Sequence, residues 1–278
     1  MSAHVPNLPE NAVKASDLLV RCLEEEGLEF IFGVPGEENA DFMMSLEKSD
    51  RIRFILTRHE QGAAFMAEVY GRLTGNPAGC LGTLGPGATN LITGVADANM
   101  DRAPMLVLTG QGSTERLHKE SHQVLDLEEM FRPISKYASR VLTPDVIPEV
   151  VRKAFKVAQS EKTGASFIEF PEDVAKLPAR ATPLPVNHPF PPEPAQQQVE
   201  KAAELISAAR NPMILAGNGM VRAGAWKHLA DFAERLNIPV ANTFMAKGVI
   251  PFRHPMALGS AGLQSQDYVS CGFDHADL

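Results

Sequence analysis

Glu60 stands in TRHEQGAAFMAEVYGRLTG, residues 57–75, where a strand-like run, RIRFIL, hands over to a helix of small residues. Unpaired N–H groups and the macrodipole favour an acid in the first turn of a helix, so capping alone accounts for a carboxylate there. An acid that the fold also buries can do proton chemistry. Two more glycine-bearing segments follow strand-like runs, GVPGE at 33–37 and GTLGPGATN at 82–90. In a parallel α/β sheet such loops sit at the carboxyl ends of strands and line the ligand crevice. Glycine there lets a ligand or a second chain come close to the backbone. Neither segment is a nucleotide fingerprint. GPGATN lacks the Gly-Lys-Ser/Thr ending of a phosphate loop, and GVPGE lacks the GxGxxG spacing.

The elements that must carry these loops alternate between strand and helix patterns, which predicts a parallel sheet covered on both faces. ASDLLVRCLEEEG places Leu18, Leu19, Cys22 and Leu23 on one helical face and stops at Gly27. FIFGVPG, RIRFIL, AGCLGTLG, PMLVLTG and ASFIEFPEDV read as strands, and IPEVVRKAFKVAQSEKTG as a helix ending at a glycine. Prolines then crowd LPARATPLPVNHPFPPEP, the mark of an extended linker. A second α/β unit follows. VEKAAELISAA aligns Val199, Ala202, Ala203, Ile206 and Ala209. NPMILAGNG reads as strand and glycine turn, and AGAWKHLADFAERLN as a helix with Trp226, Leu229, Phe232, Ala233 and Leu236 inward. IPVANTF is the next strand of a right-handed βαβ crossover.

The 278 residues suffice for one large or two ordinary cores. A hydrophobic share of 44% and a charged share of 22% are those of a soluble globular protein. The net charge of −8, with no Lys/Arg block, argues against a nucleic-acid partner. Cys22, Cys80 and Cys271 form no CxxC pair, which points to a reduced, cytoplasmic protein rather than a disulfide scaffold or zinc site. No apolar run reaches membrane-spanning length, and MSAHVPNLPENAVKAS lacks the pattern of a signal peptide.

Taken together and in order, GVPGE, RHEQGAAFMAEVYGRLTG and GTLGPGATNLITGVADANMDRAPMLVLTGQ resemble the thiamine-diphosphate-dependent enzymes of the acetolactate synthase and pyruvate oxidase group. The resemblance covers almost the whole chain. Residues 1–177 look like that family's pyrimidine-binding domain. Residues 178–197 form the Pro-rich linker. Residues 198–278, with NPMILAGNGMVRAG and NTFMAKGVIPFRHPMALG, look like the start of its Rossmann-like α/β central domain, present here in part. The implied activity is that of a carboligase, which decarboxylates a 2-keto acid such as pyruvate and joins the remaining unit to a second carbonyl, as in branched-chain amino acid biosynthesis.

In the family the glutamate of the HE step bonds to a ring nitrogen of the cofactor's aminopyrimidine and favours the tautomer that deprotonates the thiazolium carbon. Glu60 matches it. Pro35, Thr83, Pro86, Gly87 and Asn90 match loops around the pyrimidine ring, although turn-shaping alone would account for them equally well. Gln123, in HKESHQVLDL, matches an active-site glutamine of acetolactate synthases. His118 and His122 are not the adjacent pair of the related decarboxylases, so a carboligase is favoured, and both read as exposed loop residues. His59 is expected to orient its neighbours. Gly62, Ala63, Ala64, Ala67 and Gly71 leave room for close packing by another backbone or subunit.

The sequence also departs from the family. SAGLQSQDY stands where the flavin-binding enzymes read differently, so FAD is not expected. Neither the GDG motif nor the paired asparagines that hold magnesium and the diphosphate occur, so the diphosphate-binding domain is expected to be absent, with no metal ligand in this chain. The abrupt CGFDHADL ending suggests an N-terminal piece of the longer enzyme. The family's active site lies between subunits, which implies a homodimer or homotetramer. The alternative reading is a non-catalytic α/β remnant that only binds partners, and retention of Glu60 speaks against it.

Overall fold

The computed structural model describes residues 11–187, 190, 192–262 and 267–278. Residues 263–266, within the segment that bears on FAD, lie outside the described residues, as do 1–10 and three positions of the Pro-rich stretch. The chain divides into two compact units that part between Pro191 and Pro192.

The first unit begins with β1 (Val13–Lys14) and α1 (Ala15–Glu25), then β2 (Phe30–Gly33), α2 (Ala40–Leu46), β3 (Arg53–Leu56), α3 (Glu60–Thr74), β4 (Ala78–Gly82), α4 (Pro86–Asp101) and β5 (Met105–Gln111). It continues through α5 (Leu127–Phe131), β6 (Tyr137–Arg140), α6 (Ile147–Gln159), β7 (Ala165–Pro171), α7 (Glu172–Lys176) and β8 (Pro178–Ala179). Six strands form one parallel sheet in the order β3-β2-β4-β5-β7-β6. β1 and β8 pair separately and antiparallel, so the start of the predicted linker is strand.

Every residue of β4, β5 and β7 is buried. Such strands read as continuous apolar runs because helices cover both faces of the sheet. The period of two sorts their side chains. Met105, Val107 and Phe167 join one core with Ala63, Ala67, Leu91 and Phe131. Leu106, Leu108 and Ile168 join the opposite core with Leu18, Leu23, Phe42 and Phe155. Burial of one such Phe or Leu stabilises by ~1.5–3 kcal/mol relative to exposure.

The predicted strands and helices of this unit are all present, with α1 burying Leu18, Leu19, Cys22 and Leu23 as its spacing implies. Two details differ. α6 ends at Ser160, whose backbone turns extended at ψ 138°, not at the glycine of EKTG. The edge strand β6 was not predicted, because YASR has no apolar run to announce it.

The second unit contains α8 (Gln196–Ala208), β9 (Ile214–Ala216), α9 (Asn218–Arg222), α10 (Trp226–Leu236), β10 (Val240–Asn242), β11 (Ala257–Ser260) and α11 (Tyr268–His275). Its parallel sheet runs β11-β10-β9. The core is small: Ala216, Leu229, Ala233, Val240, Ala246, Val249 and Ile250. Here the helical stripes did not translate into burial. α8 buries none of its residues. In α10 only Leu229 and Ala233 are buried, while Trp226, Phe232 and Leu236 are 48%, 41% and 49% exposed. Periodicity orients an apolar face, but a three-stranded sheet offers too little surface to cover it.

Candidate active site

The strand order places the site. From β2 the chain goes to β3 on one side and then returns to lay β4 on the other. α2 packs on one face of the sheet and α4 on the opposite face. The segments leaving β2 and β4 therefore diverge, which opens a crevice at the carboxyl ends of these neighbouring strands. Asn39 ties the two loops together. Its Oδ1 accepts from Gly36 N at 2.8 Å, and its Nδ2 donates to Gly82 O at 3.3 Å. Val34 N donates to Leu81 O at 3.2 Å.

Glu60 opens α3 and is only 9% exposed. His59 caps the helix, its Nδ1 accepting from Gln61 N at 3.1 Å, so the histidine orients the first turn. Asn90, from the second turn of α4, donates from Nδ2 to Glu60 Oε2 at 3.0 Å. Among the described residues Glu60 Oε1 accepts no hydrogen bond. Small residues make this meeting possible. A Cβ on Gly94 would stand 2.6 Å from Ala64 Cβ, and one on Gly71 would stand 2.1 Å from Pro104 O. The close approach expected of this helix is thus made within the chain, and it brings the opening turns of α3 and α4 together.

Thr83 and Gly87 complete the surroundings. A Cβ on Gly87 would lie 2.8 Å from Thr83 Cγ2 and 3.5 Å from Glu60 Oε1, and a Cβ on Gly36 would lie 2.6 Å from Thr83 Cβ. Both glycines let the Thr83 side chain pack against the backbone more closely than a Cβ would allow. Gly85, at φ +54°, caps α4, with Pro86 at its first position. Pro35, in its loop, and Pro86, at the start of α4, are exposed.

The structure thus brings Glu60, Asn90, Thr83 and Gly87 together, while Gln123 reaches the site less directly. Gln123 is exposed, with φ +57°. It lies over the β4–α4 turn, where a Cβ on Gly85 would be 2.7 Å from Gln123 O. His118 and His122 are exposed on the same loop.

Sequence reasoning missed what anchors that loop. Glu169, fully buried in β7, accepts at Oε1 from Gln111 Nε2 at 2.8 Å and from Arg140 Nε at 2.9 Å. Gln111 Nε2 also donates to Leu125 O at 2.9 Å. Glu172 and Asp173 accept from the backbone N–H groups of Ser113 and Thr114 at 3.2 and 3.0 Å. Burial pushes the Glu169 carboxyl up, and Arg140 beside it pulls back. A lone acid inside the apolar run ASFIEF was the available signal.

A second group of acids, Glu68, Asp97 and Asp101, gathers within 4.8 Å on α3 and α4. Arg72 pairs with Glu68 and Asp101 and offsets part of their charge. Burial, reinforced by Asp97, raises the Glu68 carboxyl.

Comparison with known proteins gives a consistent picture. The family model for the N-terminal TPP binding domain of thiamine pyrophosphate enzymes matches residues 13–130, and that for their central domain matches residues 199–278. A probable acetolactate synthase large subunit of Methanococcus aeolicus is 39% identical over 265 residues, covering 90% of this chain and 43% of the relative. A glyoxylate carboligase of Escherichia coli O157:H7 is 40% identical over 259 residues, covering 91% and 43%. An acetolactate synthase of Mycobacterium bovis is 37% identical over 266 residues, covering 94% and 43%. The chain spans less than half the length of these curated relatives.

Proposed function

This chain belongs to the thiamine pyrophosphate enzymes, and from that premise we propose that it contributes the pyrimidine-facing half of an acetolactate synthase-type carboligase site. The observation that carries the reading is the state of Glu60. It is a buried acid with one oxygen held by Asn90 and the other without a hydrogen bond among the described residues, beside Thr83, which Gly36 and Gly87 let pack closely against the backbone. That donor set suits the neutral, aromatic end of thiamine diphosphate. When bound, the cofactor supplies the electron sink that a 2-keto acid needs to lose carbon dioxide.

The chain's own residues then have distinct tasks. Glu60 Oε1 holds or releases a proton toward a ring nitrogen, and Asn90 fixes the carboxyl plane. Pro35, Thr83, Pro86 and Gly87 shape the walls, and Gln123 stands over the β4–α4 turn on the substrate side. The diphosphate and its Mg2+ we assign to a further domain of the longer enzyme. FAD is not part of the proposal. The 278-residue chain, holding this half alone, is proposed to be inactive by itself. A subunit contact is supported by Met66, Val69 and Leu73, which line up on α3 at 48%, 48% and 80% exposure, and by Met100 on α4 at 76%. No helix among the described residues is long and apolar enough to cross a membrane, and a cytoplasmic homodimer or homotetramer is the proposed form.

The test is Glu60→Gln in the full-length natural enzyme. The change keeps shape and removes the ionisable acid. Hydrogen–deuterium exchange at the thiazolium carbon should slow by ~10²–10⁴-fold, the usual worth of a positioned acid–base group, with the melting temperature little altered. An unchanged exchange rate would overturn the role. The identity with a glyoxylate carboligase favours a second reading of the substrate. Product analysis with pyruvate, pyruvate plus 2-oxobutyrate, and glyoxylate separates the two, glyoxylate-only turnover deciding for the second.

A further inference from the structure

We propose that Glu38 is a positioning residue that turns the Thr83 hydroxyl away from Glu60, so that a methyl group, not a hydrogen-bond donor, borders the free Oε1. The proposal rests on the reading of Glu60 given above and deepens it.

Thr83 carries two groups of almost equal size and opposite chemistry on one carbon. Its Oγ1 donates to Glu38 Oε2 at 2.9 Å. Its Cγ2 lies on the other side, 2.8 Å from the point where a Gly87 Cβ would stand, and that same point is 3.5 Å from Glu60 Oε1. The methyl and the carboxyl oxygen thus converge on one point beside Gly87, and the absence of a Cβ there lets the methyl stand so close. Glu38 is itself fixed from behind. It lies in the three-residue helical turn Glu37–Asn39, held by the Asn39 contacts to Gly36 and Gly82, and its backbone packs where Gly110 leaves room, 3.1 Å from the site of a Cβ.

The consequence is chemical. Asn90 already donates to Glu60 Oε2. A second donor at Oε1 would favour the charged, occupied carboxylate and compete with any ring nitrogen for it. Threonine rotamers are separated by discrete wells, so an acceptor on one side is enough to decide which group faces the other. Removing the Glu38 acceptor frees the side chain to rotate, so that the hydroxyl takes the place of the methyl.

Two measurements test this. In the 278-residue chain, three-bond couplings from Thr83 Cγ2 to the backbone nitrogen and carbonyl carbon report its χ1 directly, with no cofactor present. The native chain should show one rotamer, Glu38→Ala should show averaging, and Glu38→Gln, which retains an acceptor oxygen, should keep the native couplings. In the full-length natural enzyme, Glu38→Ala should slow thiazolium exchange by about tenfold, the effect of one misdirected hydrogen bond to a charged group. Glu38→Gln should restore most of that rate, and adding Thr83→Val to Glu38→Ala should make it faster than Glu38→Ala alone, because the competing donor is gone. Native couplings in Glu38→Ala, or a double variant no faster than the single one, would overturn the proposal. If Glu60→Gln leaves exchange intact, the reading of Glu60 fails, whereas the coupling result still judges the Glu38–Thr83 pair by itself.

Discussion

The two units obey one βαβ rule and end in different conditions. In the first, six parallel strands have helices on both faces, and side chains as large as Phe131, Phe155 and Phe167 are fully buried. In the second, three strands support a cluster of seven buried residues, and α8 buries none of its own residues. The first unit can therefore keep Glu60, Glu169 and Glu68 out of water, because its core supplies the stability that such burial consumes. The second has no comparable reserve, and its buried polar residue among those described is Asn242, bonded to Ser260 and Thr243. Buried acids thus mark where the packing is deep enough to hold them.

Loss of core volume should cost the first unit more than the second. Phe167 stacks on Phe131 with ring centroids 4.2 Å apart. Phe167→Ala should cost ~3–5 kcal/mol and bring the first unit's unfolding forward, whereas Leu229→Ala, in the thinner core, should cost only ~2 kcal/mol. Segment-resolved hydrogen exchange during denaturant unfolding separates the two. Equal costs would mean that the second core is as well packed as the first.

Backbone contact gives a smaller contrast. Gly71→Ala would place its methyl 2.1 Å from Pro104 O, so α3 must move off β5 at ~1–3 kcal/mol. A Cβ on Gly217 meets nothing within 4 Å, and Gly217→Ala should be neutral to within ~0.5 kcal/mol. Thermal melts of both variants check this, and a neutral Gly71→Ala would show that the helix approach is looser than its geometry.

The two units should lose stability at opposite ends of the pH scale. Burial raises the Glu26 carboxyl to about 7, against the pull of Arg152. A folded-state value above the unfolded one means that this group's contribution is fully present below about pH 4.5 and is lost as pH rises through about 7. Glu169 and Glu68 shift the same way. In the second unit Asp277 is held down by the N–H groups of Arg210 and Asn211, so its contribution is lost only as pH falls below the usual carboxylate range. The melting temperature of the first unit should fall from pH 5 to pH 7.5, and Glu26→Gln should flatten that slope. A slope unchanged in the variant would remove Glu26 from the account.

What could be read from sequence follows the same division. In the first unit, apolar runs of parallel-sheet strands announced themselves, and Glu60 and Asn90 were picked out because their loops resemble a known family. What joins them was not legible, since a hydrogen bond between residues thirty positions apart depends on how closely α3 and α4 pack. Glu38 and Glu169 were passed over for a related reason: their partners, Thr83, Gln111 and Arg140, lie on other strands and loops. In the second unit the stripes on α8 and α10 were visible, but a stripe says which face is apolar and not whether anything lies against it.

The smallest contrast concerns helix ends. Both units close a helix with a non-glycine residue in the left-handed region, Arg102 after α4 at φ +62° and Asn237 after α10 at φ +52°. For an ordinary L-residue that conformation costs ~1–2 kcal/mol, and asparagine largely escapes the penalty. Substitution by glycine relieves it but loosens the unfolded chain by ~0.5–1 kcal/mol. Arg102 also gives up a bond from Nη1 to Asn99 O at 3.2 Å, which is partly exposed and offsets part of the gain. Arg102→Gly should therefore come out between neutral and ~1 kcal/mol stabilising, and Asn237→Gly between neutral and ~0.5 kcal/mol destabilising. The ordering matters more than either value. If Asn237→Gly stabilises its unit more than Arg102→Gly stabilises the other, the strain at the end of α10 is larger than its residue type allows, and the second unit is limited by its backbone as well as by its thin core.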